Sequence, residues 1–122
     1  MVSADTPRKG AAGRRVGCPA VACCIAVDAG TTGVRALAVD ESGSVVDVSY
    51  RELTQHFPRP GWVEHDAAEI WESVRTTVGD VARRQAERGG TVAAVGITNQ
   101  RETVVAWDRA TGRPLHRAIV WQ

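Results

Sequence analysis

Between two apolar runs, Val21–Val27 and Thr91–Ile97, lies one stretch with helical periodicity, and this order constrains the fold more than any other feature. Ile70, Trp71, Val74, Val78, Val81 and Ala82 recur at the spacing that lines one face of a helix. Asp66 with Glu69 resembles a capping box, with Asp in place of Ser or Thr, and Gly89-Gly90 is a stop signal. Glu72, Arg75, Asp80, Arg83, Arg84 and Glu87 form the opposite face, expected to be solvated. A crossover of this length lets the strand before it and the strand after it lie parallel in one sheet.

The remaining runs fill in that sheet. "GTTG" (30–33) and "DESGS" (40–44) are turn signals, so Val21–Val27, Val34–Val39 and Val45–Leu53 read as an antiparallel meander. The unbroken apolar character of Val21–Val27 predicts a central strand buried on both faces. Residues 54–66 read as a loop punctuated by Pro58, Pro60 and Gly61, with Trp62 as packing. After the helix come strand 91–98, strand 103–107, a turn at 108–114 and a last apolar run, Ala118–Trp121. The order is β-β-β-α-β-β-β, an α/β fold with a mixed sheet. At 122 residues this is at most one domain, and the apolar strand just before Gln122 gives it the look of a truncated one.

Charge excludes some partners. Fifteen basic against 14 acidic residues give a net charge of +1, with no general pull towards nucleic acid or a membrane surface. The basic excess sits in Arg8, Lys9, Arg14 and Arg15, and residues 1–20 read as a flexible basic extension. Pro19 interrupts the apolar stretch behind it and no A-x-A site closes it, against a secretory signal. No run is long enough to span a membrane. Cys18, Cys23 and Cys24 are odd in number and lack metal-ligand spacing. Adjacent cysteines on a strand point to opposite faces, so they read as buried, reduced thiols of a cytoplasmic protein.

Two polar insertions carry the chemistry. "DAGTTGVR" (28–35) follows one apolar run with two glycines, two threonine hydroxyls, an acid and an arginine. Backbone N–H groups in such a turn make an anion-binding concavity, Arg35 can pair with phosphate, and Asp28 can hold Mg²⁺ directly or through water. It is not a Walker loop, because no G-K-[ST] follows and a strand succeeds the turn. An ordinary Gly-rich hairpin would look much the same. "TNQRET" (98–103) interrupts the second pair of apolar runs. If strand 91–98 lies parallel to Val21–Val27, both insertions leave one sheet edge, where ligands of open α/β sheets bind. Arg101 offers fixed donors and Glu102 acceptors, a set that suits adjacent hydroxyls, although a salt bridge decorating a turn would use the same residues.

"DAGTTGVRALAVD", "HFPRPGWVEHD", "GITNQRET" and "AIVWQ" resemble, in order, the amino-terminal region of glycerol kinases, members of the FGGY carbohydrate kinases. The resemblance covers about residues 21–122, and "HFPRPGWVEHD" and "GITNQRET" are its most specific parts. It implies the actin-like, ribonuclease-H-like ATPase fold, with ATP, Mg²⁺ and glycerol as ligands. It places Asp28 near metal and phosphates, Thr31, Thr32, Gly33 and Arg35 at nucleotide phosphate, Arg101 and Glu102 on glycerol hydroxyls, and Trp121 against the glycerol carbons. Ala29 stands where Gln is frequent in the family, and Gly33-Val34 where Ser-Ser is frequent, so side-chain contacts there are lost while backbone N–H groups remain.

Members of this family are several times longer. By the resemblance, the general base, a further polyol-contacting Tyr and the adenosine pocket lie outside this chain, which then holds no catalytic residue and is inactive alone. The resemblance leaves a homo-oligomer open for the full-length protein. The competing readings are another FGGY sugar kinase of the xylulose type, which Arg101-Glu102-Thr103 argues against, and a non-catalytic module with a relic phosphate loop.

Overall fold

The computed structural model describes residues 22–121, so the basic extension 1–20, with Cys18, lies outside the described residues. Strands β1 (Ala22–Ala29), β2 (Gly33–Asp40) and β3 (Val45–Glu52) form the expected antiparallel meander. A two-residue strand, β4 (Glu64–His65), precedes helix α1 (Ala67–Glu87). The chain then forms β5 (Thr91–Thr98) and β6 (Ala118–Ile119). β5 pairs parallel with β1, giving a mixed sheet of order β3-β2-β1-β5, while β4 and β6 pair in a small second sheet.

Local chemistry explains the helix ends. The Asp66 carboxylate accepts the Ala68 N–H at 2.8 Å. Glu69 does not complete a capping box; its carboxylate instead accepts from the Thr54 N–H and hydroxyl at 3.1 and 3.0 Å. At the far end Gly89, with φ of 77°, donates to Ala86 and Gly90 donates to Gln85, a Schellman stop that needs the left-handed glycine.

Burial is one-sided, which corrects the expectation for the first strand. Cys23, Ile25, Val27 and Ala29 face α1 and are buried, whereas Cys24, Ala26 and Asp28 are exposed on the other face. The two cysteines therefore do point oppositely, and only Cys23 is a buried thiol. Together with Val34, Ala36, Ala38, Leu53 and Val81 the inward residues make the core. β5 is exposed along its whole length, with Val95 and Ile97 open on the helix side of the sheet.

The helix is rotated from its predicted setting. Its buried line is Ser73, Thr77, Val81 and Gln85, with Ile70, Val74, Val78 and Ala82 only partly buried and Trp71 63% exposed. The cause is the polar inner face of β3. Arg84 donates to both oxygens of Asp47, at 3.3 and 3.0 Å from Nε and 3.0 Å from Nη2, and Gln85 adds a bond at 3.2 Å. Arg84 was expected to be solvated, but this fork ties the last helical turn to β3. Trp62 is not packed inside either; it is half exposed, with Arg59 Cζ 5.1 Å from its ring centroid.

The strand expected at 103–107 does not form. Val104 bridges Ile119 and Trp107 bridges Pro114, and nothing continues the ladder between them. Around the Trp107–Pro114 bridge the Leu115 N–H donates to the Ala106 carbonyl at 2.9 Å and the Asp108 N–H to the Arg113 carbonyl at 2.8 Å. The chain turns at once as the Asp108 carboxylate accepts from the Thr111 N–H and hydroxyl, both at 2.7 Å.

The Asp47–Arg84 fork has a measurable signature. Hydrogen bonding to Arg84 is the largest of the causes that lower the Asp47 pKa from its ordinary 3.8. A lowered folded-state pKa stabilises above the unfolded value, and that stability is lost as pH falls through the folded one. Asp47→Asn should cost about 1–3 kcal/mol in urea unfolding near neutral pH, and the difference from the parent chain should shrink towards pH ~3.

Candidate functional site

Because β1 and β5 run parallel, the Gly30–Thr32 turn and the Asn99–Glu102 loop leave the same sheet edge. Between them opens a cleft of about 320 Å³ lined by Gly30, Thr31, Asn99, Gln100, Arg101, Glu102 and Trp121. The parallel pairing thus brings both polar insertions and Trp121 to one place. Thr31, Arg101, Glu102 and Trp121 line the cleft, whereas Asp28, Thr32, Gly33 and Arg35 do not.

Those other residues have a second arrangement. Thr98, Asp28, Arg35 and Tyr50 are successive cross-strand partners, forming a row on the sheet face opposite α1. Asp28 and Arg35 are both exposed there, and Arg35 Cζ sits 5.5 Å from the Tyr50 ring centroid. Neither makes an ion pair among the described residues. A single unpaired carboxylate suits Mg²⁺, which is usually held by one or two carboxylates plus water and phosphate oxygens.

The phosphate-type turn is tight. The Gly30 N–H donates to the Gly33 carbonyl at 3.0 Å, and the Thr32 carbonyl accepts the Leu53 N–H at 3.0 Å and the Tyr50 hydroxyl at 3.4 Å. A Cβ on Gly33 would lie 2.5 Å from Tyr50 Cζ, so a larger residue there would displace the exposed Tyr50 side chain.

The opposite wall carries strain. Glu102 has φ of 59°, the one non-glycine residue in the left-handed region among the described residues. An L side chain pays steric energy to sit there, and such positions concentrate at functional sites. No carboxylate lies within salt-bridge distance of Arg101 among the described residues, so the Arg101–Glu102 salt bridge that a plain turn would offer is absent.

Three further residues, Gln100 in the cleft lining and His65 and Gln55 behind it, were not singled out in the sequence. His65 is 1% exposed, with Nε2 at 2.9 Å from Gln55 Oε1 and Nδ1 at 3.3 Å from Gln100 Nε2. The Gln55 amide donates to the Thr31 and Leu53 carbonyls at 2.8 and 3.2 Å. The Gln100 amide donates to the Gly30 carbonyl at 2.8 Å and accepts from the Thr103 hydroxyl at 3.1 Å. Burial is the main cause that pushes the His65 pKa down, with the Glu69 charge opposing it. Gln100 lay inside the polar insertion, but its charged neighbours drew the reading.

The family model for the N-terminal domain of the FGGY family of carbohydrate kinases matches residues 23–122. The chain belongs to the FGGY carbohydrate kinases. A glycerol kinase from Rhizobium rhizogenes is 56% identical over 98 residues, covering 80% of this chain and 20% of that protein. The crystal structure of Plasmodium falciparum glycerol kinase with ADP superposes with a TM-score of 0.78 and 34% identity, over 84% of this chain and 21% of that one. A xylulose kinase from Rhodospirillum rubrum gives 0.74 and 30%, over 80% and 20%. The chain therefore spans about a fifth of the length of the relatives it matches. The fold is that of the FGGY kinases, an actin-like ATPase half-domain, as the motifs implied.

The strain at Glu102 predicts a trade of stability against site chemistry in this FGGY segment. Glu102→Gly should leave the fold unchanged or stabilise it by up to about 1 kcal/mol, while Glu102→Ala gains nothing from the backbone. Urea unfolding of the two variants side by side measures the difference.

Proposed function

We propose that this segment forms the phosphate- and polyol-handling edge of a cytoplasmic glycerol kinase, which makes sn-glycerol 3-phosphate from glycerol and ATP. The observation that carries the reading is the cleft in which Thr31 and Gly30 face Arg101, Glu102 and Trp121. Identity of 56% to a glycerol kinase supports the choice of polyol. The 30% identity to a xylulose kinase keeps a five-carbon ketose as the second reading, decided by comparing the two substrates.

In this reading ATP with Mg²⁺ supplies the transferable phosphoryl group, and the residues of this chain position and neutralise. Phosphoryl transfer relies on alignment and charge stabilisation more than on covalent help from the protein. Asp28 holds the metal ion, directly or through water. Thr31, Thr32 and the backbone N–H groups through Gly33 face the phosphates, with Arg35 countering their charge across the strand pair. Arg101 donates to glycerol hydroxyls, Glu102 accepts from them, and Trp121 covers the carbon chain. Glu102 lines the cleft from a left-handed backbone position. The group that takes the hydroxyl proton and the adenosine pocket are assigned to parts of a full-length kinase outside residues 1–122, so the 122-residue chain alone should show no turnover.

The decisive experiment uses a kinase of full family length that carries this segment. Arg101→Ala should lose about 1.5–3 kcal/mol of substrate-complex stability, read as a roughly 10- to 100-fold change in glycerol KM or kcat/KM. The KM for ATP should move much less, and Arg35→Ala should show the opposite pattern. Unchanged glycerol kinetics in a folded Arg101→Ala enzyme would remove the polyol site from this loop.

A further inference from the structure

We propose that His65 is a positioning residue that locks the Asn99–Glu102 loop against the Gly30–Thr31 turn, acting as a neutral imidazole of fixed tautomer. The proposal rests on the glycerol kinase reading for its kinetic test, but its geometry stands apart from the substrate.

The tautomer follows from backbone carbonyls at both ends of the chain of bonds. The Thr31 and Leu53 carbonyls can only accept, so they claim both N–H groups of the Gln55 amide. This turns Gln55 Oε1 towards His65, and His65 Nε2 must then donate. At the other end the Gly30 carbonyl claims one N–H of the Gln100 amide, and the Thr103 hydroxyl takes its oxygen. The second N–H of that amide points at His65 Nδ1, which must accept. Every donor has an acceptor, and neither amide can flip without leaving a carbonyl and a nitrogen mismatched.

The position of the ring gives this network its consequence. His65 sits in β4 and is fully buried, so the ring is held by its packing while its two nitrogens reach different loops. One path runs through Gln55 to Thr31, which lines the cleft. The other runs through Gln100, the residue before Arg101, and returns to Gly30. Both walls of the cleft are thus referred to one imidazole. A proton on Nδ1 would set a donor against the Gln100 amide and break the second path. The groups facing the ring are Gln55 and Gln100 from the two loops, Glu69 from α1, which favours protonation, and His56, which opposes it. Burial outweighs them and keeps the ring neutral.

The test compares His65→Leu and His65→Gln in the full-length kinase, with unfolding midpoints recorded for both. A glutamine can donate through Nε2 and accept through Oε1, whereas leucine does neither. His65→Leu should raise glycerol KM about tenfold with ATP KM changed less than about twofold, since Gln55 still holds Thr31. His65→Gln should recover most of that loss and flatten any fall of kcat/KM for glycerol at acid pH. A merely structural role would lower the unfolding midpoint and leave both KM values in place. Overturning results are an unchanged glycerol KM in folded His65→Leu, or a His65→Gln enzyme no better than leucine. Nitrogen-15 spectra of histidine-labelled wild-type enzyme supply a readout free of substrate: Nε2 should carry the proton and Nδ1 should not. The reverse tautomer would sink the network even in an active kinase. A wild-type enzyme that ignores glycerol while showing the expected tautomer would instead overturn the substrate assignment alone.

Discussion

Everything that gathers at the cleft depends on the parallel pairing of β1 with β5. An antiparallel partner would have sent the Asn99–Glu102 loop to the far edge of the sheet. The Gly30–Thr32 turn would then have stood alone as a glycine-rich hairpin. The crossover through α1 is what makes the pairing parallel, because the 21-residue helix returns the chain to the edge from which β1 started. The helix terminus enforces this return: Gly89 takes a left-handed conformation and the chain enters β5 two residues later. The site is thus a product of topology before it is a product of side chains.

The same helix accounts for the uneven core. It lies over β2, β3 and β1 and leaves β5 uncovered, so Val95 and Ile97 stay open on its own side of the sheet. Its buried line contains Ser73, Thr77 and Gln85, an unusual choice for a core. Thr77 satisfies its hydroxyl by bonding back to the Ser73 carbonyl at 2.8 Å, while the Ser73 hydroxyl has no partner. The Asp47–Arg84 fork ties the last turn of the helix to β3. Affinity between helix and sheet here is partly electrostatic, which is why it carries a pH signature.

What could be read from the sequence was what local chemistry decides. The three-strand meander, the helix between its caps and the parallel return of β5 follow from periodicity and turn residues within short windows. So did the meeting of residues 28–35 with 98–103, once the crossover was recognised. The rotation of α1 was not legible, because it is set by Asp47, 37 residues from Arg84, whose face on β3 depends on a register shift between Ala38 and Val39. The two-residue β4 is too short to show a period, and the run at 103–107 shows one that yields isolated bridges to Ile119 and Pro114 and no ladder. Of the cleft, Thr31, Arg101, Glu102 and Trp121 were legible and the amide–imidazole network that joins its walls was not. Gln55, His65 and Gln100 are separated by 10 and 35 residues, and no spacing rule links an amide to an imidazole across that distance.

The neutrality of that link has its own physical reason. An ion pair placed where His65 lies would suffer the desolvation cost of two buried charges, and its field would act on Arg101 and Glu102 in the cleft. Amides and a neutral imidazole avoid both effects. Their weakness is ambiguity, since an amide can flip and an imidazole can move its proton. The Gly30, Thr31 and Leu53 carbonyls remove that ambiguity, because a carbonyl can only accept and so dictates the orientation of each amide in turn. The Gly30–Thr32 turn thereby does more than line the cleft. Its carbonyls, turned inward, set the tautomer that holds the Asn99–Glu102 loop. Through them one peptide turn couples both walls of the cleft without placing a charge between them.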